Sequence, residues 1–513
     1  MTDLSAELLL AEAEVPQPRT VSDVEKRPLR YSREVQGNVL AAFNKDHETY
    51  RLVWFADAER GRRWLLAMLG HISVTADVEQ FNEQFSLRRR VEKADPKDMK
   101  AVWVSLSLTY RGLELLAGKT KWEEAIKKPG VEDLGFGAEH MNAFHRADAL
   151  HDVGESGPRY WQFGSDEQHT PHALVVVSAD DVEHLVEREG LLDLVDASTG
   201  ARTEGILGGT LPGERRGHEH FGFKDGVSQP GVRQFHREDL KRHGEREGHP
   251  GTELIEPGEF VLGWPKEPGG KTAPAVPEWA RNGSFHVLRK LRQDVQRFKA
   301  AAAALAKAVG VDQEDAAALM VGRHPDGRPL ARPINEFKGW GSDQNDFDYH
   351  ADGTGDRTPC YSHVRKTNPR AWHNDTAEEA KLVPDGAAFK QLKRHRIIRR
   401  GIPYGLPYQT GEMPDVVDRG LLFVAYCASL TEQFEFQQKA WANNEMFNPG
   451  QRSAPTGTDP LIGAMNDGKR GQVTVKGTTC PLTFDRPVLT CGAVYAFAPS
   501  MSTLRKLAAG QPL

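Results

Sequence analysis

Three short stretches carry residue types able to do chemistry. The first is Phe221-Gly-Phe-Lys-Asp225-Gly226-Val-Ser-Gln-Pro230. One acid sits between glycines, whose missing Cβ lets backbone approach a flat ligand closely. A carboxylate held there could move a proton over that ligand. The same residues also make an ordinary Asp-Gly turn. The second stretch is Cys360-Tyr-Ser-His363-Val-Arg365-Lys-Thr-Asn-Pro-Arg370. A neutral imidazole can ligate iron through one nitrogen while its other N–H is held by an acceptor. Arg365 and Arg370 could grip carboxylates in two-pronged fashion. His363 is one of 19 histidines, and a lone histidine is more often structural than a ligand. The third stretch is Lys393-Arg-His-Arg396-Ile-Ile-Arg399-Arg400-Gly-Ile-Pro-Tyr404-Gly. Ile397 and Ile398 imply that part of it is buried, and a buried arginine needs an anionic partner or a functional reason. A solvated basic face or a minor nucleic-acid patch are the bland alternatives.

The elements that must position these residues read as strands interleaved with helices. Arg51–Ala56, Ala101–Leu108 and His172–Val177 are β-rich runs. Asp57–Leu69 carries Trp64, Leu65, Met68 and Leu69 at helical spacing, and helices are also expected from Thr109 and after Ser178. In the second half, Glu259–Trp264, Ser284–Leu288, Leu421–Tyr426 and Gly492–Ala498 read as strands, with helices over Arg289–Val309 and Thr431–Trp441. Two packed α+β sheet domains follow from this pattern. No short-period repeat is visible, which disfavours solenoids and propellers. The stretches 236–258, 265–283 and 324–360 are loop-rich and suited to lining or covering a site. Residues 1–35 read as a loosely held arm.

Composition narrows the function classes. A chain of 513 residues suggests two or three domains and a core that needs no staples. With Gly 49 and Pro 31, long ordered loops are expected. The net charge of -6 argues against nucleic acid or an anionic membrane surface as main partner. Cys360, Cys427, Cys480 and Cys491 form no CxxC pair, which excludes zinc ribbons and thioredoxin-type motifs. Such sparse cysteine suggests a reducing compartment. The first twenty residues show no basic n-region or twin-arginine pair, and no apolar stretch approaches the ~20 residues a spanning helix needs. The expected location is cytoplasmic, with no membrane and no nucleic-acid partner.

Taken together and in this order, the motifs resemble those of the dye-decolourising peroxidases, in the larger fungal-like or actinobacterial-like branch. The resemblance rests on Gly222-Phe-Lys-Asp225-Gly226 with Val-Ser-Gln-Pro230, on His363-Val-Arg-Lys-Thr-Asn-Pro-Arg370, and on Arg399-Arg-Gly-Ile-Pro-Tyr-Gly405. Gly420-Leu-Leu-Phe-Val-Ala-Tyr426, Gln36-Gly-Asn-Val-Leu40 and Pro257-Gly-Glu-Phe-Val-Leu-Gly263 reinforce it, so that it spans roughly residues 36–500. The resemblance implies two ferredoxin-like α+β domains with antiparallel sheets, barrel-like when combined, at 36–235 and 236–513. It further implies one haem b between the sheet and loops of the C-terminal half. His363 matches the proximal iron ligand, and Asp225 and Arg399 match the distal pair. Leu421 and Phe423 look like apolar walls of the peroxide pocket, Gly226 lies against the cofactor, and Arg365 resembles a propionate contact. Asp459, in Thr-Asp459-Pro-Leu-Ile-Gly, is taken as the acid that orients His363.

The implied reaction is one-electron oxidation of phenols and dyes by hydrogen peroxide. Asp225 would take and return the proton, and Arg399 would stabilise the developing charge. Electrons from bulky dyes could hop through aromatic residues; Tyr361, Trp372 and Tyr404 lie near the motifs, although most such residues are simply core. The competing readings are a haem-binding or haem-trafficking protein with little turnover, and a non-haem interaction protein. The natural reductant, manganese oxidation, encapsulation and homo-oligomerisation stay open.

Overall fold

The structure, a computed structural model, describes residues 21–128, 131–236, 254–268, 276–331, 345, 347, 349, 352–370, 392–409, 417–447, 456–464, 472–475, 478–481 and 485–513. Its first half runs β1 (His47–Trp54), α1 (Ala58–Met68), α2 (Thr75–Glu92), β2 (Val102–Leu108), α3 (Tyr110–Ala117), β3 (Ala173–Ala179), α4 (Val182–Thr199) and β4 (Arg202–Gly209). The strands pair antiparallel in the order β4-β1-β3-β2. The second half runs β5 (Ser284–Gln293), α5 (Val295–Val309), α6 (Gln313–Val321), α7 (His363–Thr367), β6 (Ile398–Arg399), β7 (Ile402–Tyr404), β8 (Gly420–Cys427), β9 (Val488–Ala498) and α8 (Met501–Ala508). There the order is β9-β5-β8-β6, with β7 also on β8. Both halves thus share one ferredoxin-like strand order. They join where β9 meets β2, at Phe497 and Leu108.

The joined sheet curls until its ends approach each other. Gly208 of β4 has no room for a side chain: a Cβ there would lie 2.5 Å from Ile402 Cγ2 of β7 and 3.3 Å from Leu422 Cδ1 of β8. Because side chains alternate across a strand, two cores result. Tyr50, Leu52, Leu174, Val176, Leu288, Leu422, Val424 and Val494 fill the inside of the curl. Val53, Leu106, Val175, Val177, Val287, Ala425 and Phe497 face outward and pack on Trp64, Leu65, Leu113 and Leu504 of the helices. Arg51, also outward, is held by Glu189, Asp193 and Asp196 of α4.

One acid points into the curl. Glu48 accepts hydrogen bonds from Tyr50 Oη at 2.6 Å and Ser178 Oγ at 2.9 Å. Burial pushes its carboxyl up to about 7, against the pull of those two hydroxyls and of Arg400.

Several local expectations change in context. Arg289–Gln293 belong to β5 rather than to the following helix, because Asp294 caps α5 by accepting from Arg297 N at 2.9 Å. Glu259–Trp264 is a buried turn, not a strand. Pro257 opens it, Phe260 and Val261 N–H both bond Pro257 O, and a Cβ at Gly258 would strike the carbonyls of Trp264 and Pro265. The helix expected at Thr431–Trp441 is wound wide, with π-type turns at Leu430–Phe434 and Gln437–Ala442. Within the expected arm, Leu29 and Val35 are fully buried, while residues 1–20 lie outside the described residues. No helix among the described residues is long and apolar enough to cross a membrane.

Candidate active site

The outer face of the second half-sheet forms one wall of a deep cavity. Leu421 and Phe423 alternate on β8 and pair in register with Leu291 and Arg289 of β5. All four line the cavity, as do Val488 and Thr490 of β9. Val321 of α6, Phe434, Leu461 and Ile462 extend the apolar lining. His363, Asp225, Gly226 and Arg399 face this same cavity. Sequence positions separated by up to 174 residues are therefore brought to one hollow.

His363 opens the short helix α7. Its Nδ1 lies 2.7 Å from Asp459 Oδ2, and Asp459 is fully buried. Asp459 Oδ1 in turn accepts from Leu461 N at 2.8 Å and Ile462 N at 3.1 Å. A carboxylate so anchored accepts the Nδ1–H hydrogen bond and so leaves the Nε2 lone pair available. Burial resists charge on the ring, yet the adjacent Asp459 outweighs it and raises the His363 pKa.

In the same cavity, Arg399 Nη1 donates to Asp225 Oδ1 at 3.2 Å and Nη2 to Ser228 O at 3.0 Å. Asp225 Oδ1 also accepts from Gly226 N at 2.7 Å, so Oδ2 has no hydrogen bond among the described residues. Gly226 has φ +72, a conformation glycine adopts without strain. Gln229 locks the two segments together: its Oε1 accepts from Arg399 N at 3.1 Å and its Nε2 donates to Arg399 O at 3.0 Å. It thereby acts as a missing strand partner for β6. Asp225 and Arg399 also line a second cavity with Glu48, Asn38 and Arg400, so the pair stands where the two hollows meet.

Arg365, expected at the cofactor's carboxylates, is not among the residues that line this cavity. It is fully buried outside the cavity, with Nη1 on Thr358 O at 2.6 Å and Asp352 Oδ2 at 3.3 Å, over the Tyr349 ring. Two residues along a helix is a rotation of roughly 200°, which carries Arg365 to the far side from His363. Val364 and Thr367 share the cavity face instead. The arginines that do reach the cavity are Arg289, Arg323, Arg396, Arg399 and Arg486. Arg323 and Arg486 carry no local motif and could not be picked from spacing. Tyr361 is buried and Tyr404 donates to Asp418 Oδ1 at 3.0 Å; Trp372 lies outside the described residues.

The donor set suits a haem. It offers an imidazole backed by an acid, an apolar lining, a carboxylate paired with a guanidinium, and further arginines for two carboxylates. Comparison with known proteins agrees. Residues 270–449 match the profile described as Dyp-type peroxidase, C-terminal. Dye-decolorizing peroxidase msp1 of Mycetinis scorodonius is 30% identical over 416 residues, 74% of this chain and 75% of that one. The chain belongs to the dye-decolourising peroxidase family. Multifunctional dye peroxidase DyP2 of an Amycolatopsis strain is 29% identical, across 92% of this chain and 95% of its own. Three further fungal relatives are matched over 64% to 66% of their length. Among solved structures, a dye-decolorizing peroxidase in complex with 2,6-dimethoxyphenol superposes with a TM-score of 0.70 at 26% identity, covering 94% of this chain and 99% of that one. Dye-decolourising peroxidases are haem-dependent, hydrogen-peroxide-using oxidoreductases, which is the chemistry that this donor set fits.

Proposed function

We propose that this protein is a haem b peroxidase that uses hydrogen peroxide to oxidise phenols and dyes in one-electron steps. The observation that carries the reading is one cavity lined by His363, which is backed by Asp459, and by the Asp225–Arg399 pair. A phenol-bound relative of the same fold supports the substrate class. Haem-trafficking would need the ligand but leaves the Asp225–Arg399 pair without work.

His363 would hold the iron, and Arg323, Arg396 and Arg486 are the cavity arginines available to the propionates. Bound haem would supply the redox chemistry, taking two oxidising equivalents from peroxide and passing them on singly. Asp225 Oδ2 takes a proton from incoming peroxide and returns it to the departing oxygen. Arg399, permanently charged and held on Asp225 and Ser228 O, steadies negative charge as the O–O bond lengthens. Asp459 keeps the His363 ring from turning and makes Nε2 a stronger donor. Leu421, Phe423 and Leu291 give the same cavity an apolar wall.

The test is an absorption spectrum of the haem-supplied protein before and after one equivalent of peroxide, with a pyridine haemochrome to type the haem. His363→Ala should lose the ligated Soret band. Arg399→Leu should slow the peroxide step by about 10²- to 10³-fold. A protein without visible absorbance, or an Asp225→Asn variant that meets peroxide at the wild-type rate, contradicts the respective assignment.

A further inference from the structure

The hairpin that presents Asp225 packs Phe221 and Phe223 against Phe298 of α5. Asp225 N bonds Gly217 O at 3.0 Å, Glu219 N bonds Phe223 O at 2.9 Å, and Gly222 N bonds Glu219 O at 2.9 Å. These contacts close the turn but do not tie it to the sheet. Two side chains make that tie: His220, whose Nε2 lies 2.8 Å from Tyr404 O of β7, and Glu219, which reaches β5. Glu219 Oε1 accepts from Phe223 N at 2.8 Å and its Oε2 from Phe221 N at 2.9 Å. Gln293 of β5 also donates to Oε2. No cation pairs with Glu219 among the described residues, so three N–H groups alone hold it. The side chain lines the same cavity as Asp225. Burial lifts its carboxyl to about 7, with the charge of Asp225 adding to the effect.

This placement is more than turn closure. Gln293 continues the strand whose Leu291 and Arg289 form the cavity wall, so Glu219 spans from a rigid strand to the two amides flanking Gly222. Gly222 has φ +95, and the chain reaches Asp225 three residues later. Arg399 approaches Asp225 from β6, on the opposite edge of β8. The carboxylate–guanidinium contact therefore depends on two segments, joined at Gln229 but also anchored on different strands, staying in register.

We propose that Glu219 is a positioning residue for the peroxide step, fixing the Asp225 hairpin to the sheet so that Asp225 Oδ2 stays aimed into the cavity. The inference rests on the reading of Asp225 as the proton-transferring group. Glu219→Gln keeps the shape but turns an N–H₂ toward one of the backbone amides, so one of the three bonds becomes a repulsion.

The experiment is a double-mutant cycle on the haem-loaded protein, using Glu219→Gln, Asp225→Asn and the pair, with the second-order rate constant for hydrogen peroxide as readout. Haem content and amide exchange at Phe221 and Phe223 are measured on the same samples. Glu219→Gln should retain haem, exchange those amides at least about tenfold faster, and react about 10- to 100-fold more slowly, the cost of a small misplacement of a reacting group. On the Asp225→Asn background the same substitution should change the rate less than about twofold. Equal losses on both backgrounds, or no loss on either, would overturn the proposal and leave Asp225's own role intact. If Asp225→Asn is itself silent, the underlying reading fails, and this inference with it. Glu219→Asp, a shorter carboxylate, should give an intermediate loss; failure of both variants to hold haem would assign Glu219 to the cavity as a whole and refute the positioning role.

Discussion

Replacing Glu48 by glutamine removes a buried ionisation while keeping the side chain's volume. In the folded protein burial raises the Glu48 pKa from its ordinary 4.5 to about 7. The folded state therefore binds a proton between those two values that the unfolded chain has released. Stability must fall as pH rises through that window, since unfolding then releases the proton. Below about pH 4.5 both states are protonated and the contribution is flat; above about pH 7 the whole cost is present. At about 1.4 kcal/mol per tenfold change, the displacement amounts to about 3 kcal/mol. Glutamine copies the protonated form, because Tyr50 and Ser178 can each give or accept a hydrogen bond. The assay is denaturant unfolding of wild type and Glu48→Gln, equally loaded with haem, at pH 4.5 and pH 8. The variant should gain about 3 kcal/mol on the wild type between the two pH values. A gap that does not change with pH, or that closes toward pH 8, refutes the argument that the barrel interior penalises this charge.

Three other substitutions probe the site and its frame. Asp459→Ala removes the acceptor 2.7 Å from His363 Nδ1, and haem affinity should drop about 10- to 100-fold in a haem-transfer titration. Gln229→Ala strips Arg399 N–H of its acceptor; a stability loss of about 1–3 kcal/mol should accompany a slower peroxide step in stopped flow. Gly208→Val forces a side chain against Ile402 and Leu422, and the overpacking should lower the unfolding free energy by about 1–3 kcal/mol, read from denaturant midpoints.

Much of the chemistry was legible along the chain. The Gly-Phe-Lys-Asp225-Gly226 turn, His363 and the Arg399 run each have a bland reading alone, and it is their combination and order along the chain that points to one site. The near-continuous apolar runs of β1, β3, β8 and β9 are plain in the sequence, since a strand with both faces covered must show them. Other features depended on partners remote in sequence. Asp459 lies 96 residues from His363, and only the fold decides that its carboxylate meets that ring.

The limits have one physical origin. A sequence pattern reports the period of an element, whereas a site is built from directions in space. Thus Arg365, two residues beyond His363, was expected beside the cofactor, but the helical turn points it at Asp352 and Thr358. Arg323 and Arg486 reach the cavity with no motif to betray them. Glu259–Trp264 had a strand's composition, yet Pro257 and the close approach at Gly258 folded it into a turn. What the residues determined unaided was the repertoire: an imidazole, a carboxylate and a guanidinium on glycine-eased loops, and strands to carry them. Tertiary structure alone decided which of those groups share a cavity, because chain reversal and sheet curl, not local preference, set the distances between them.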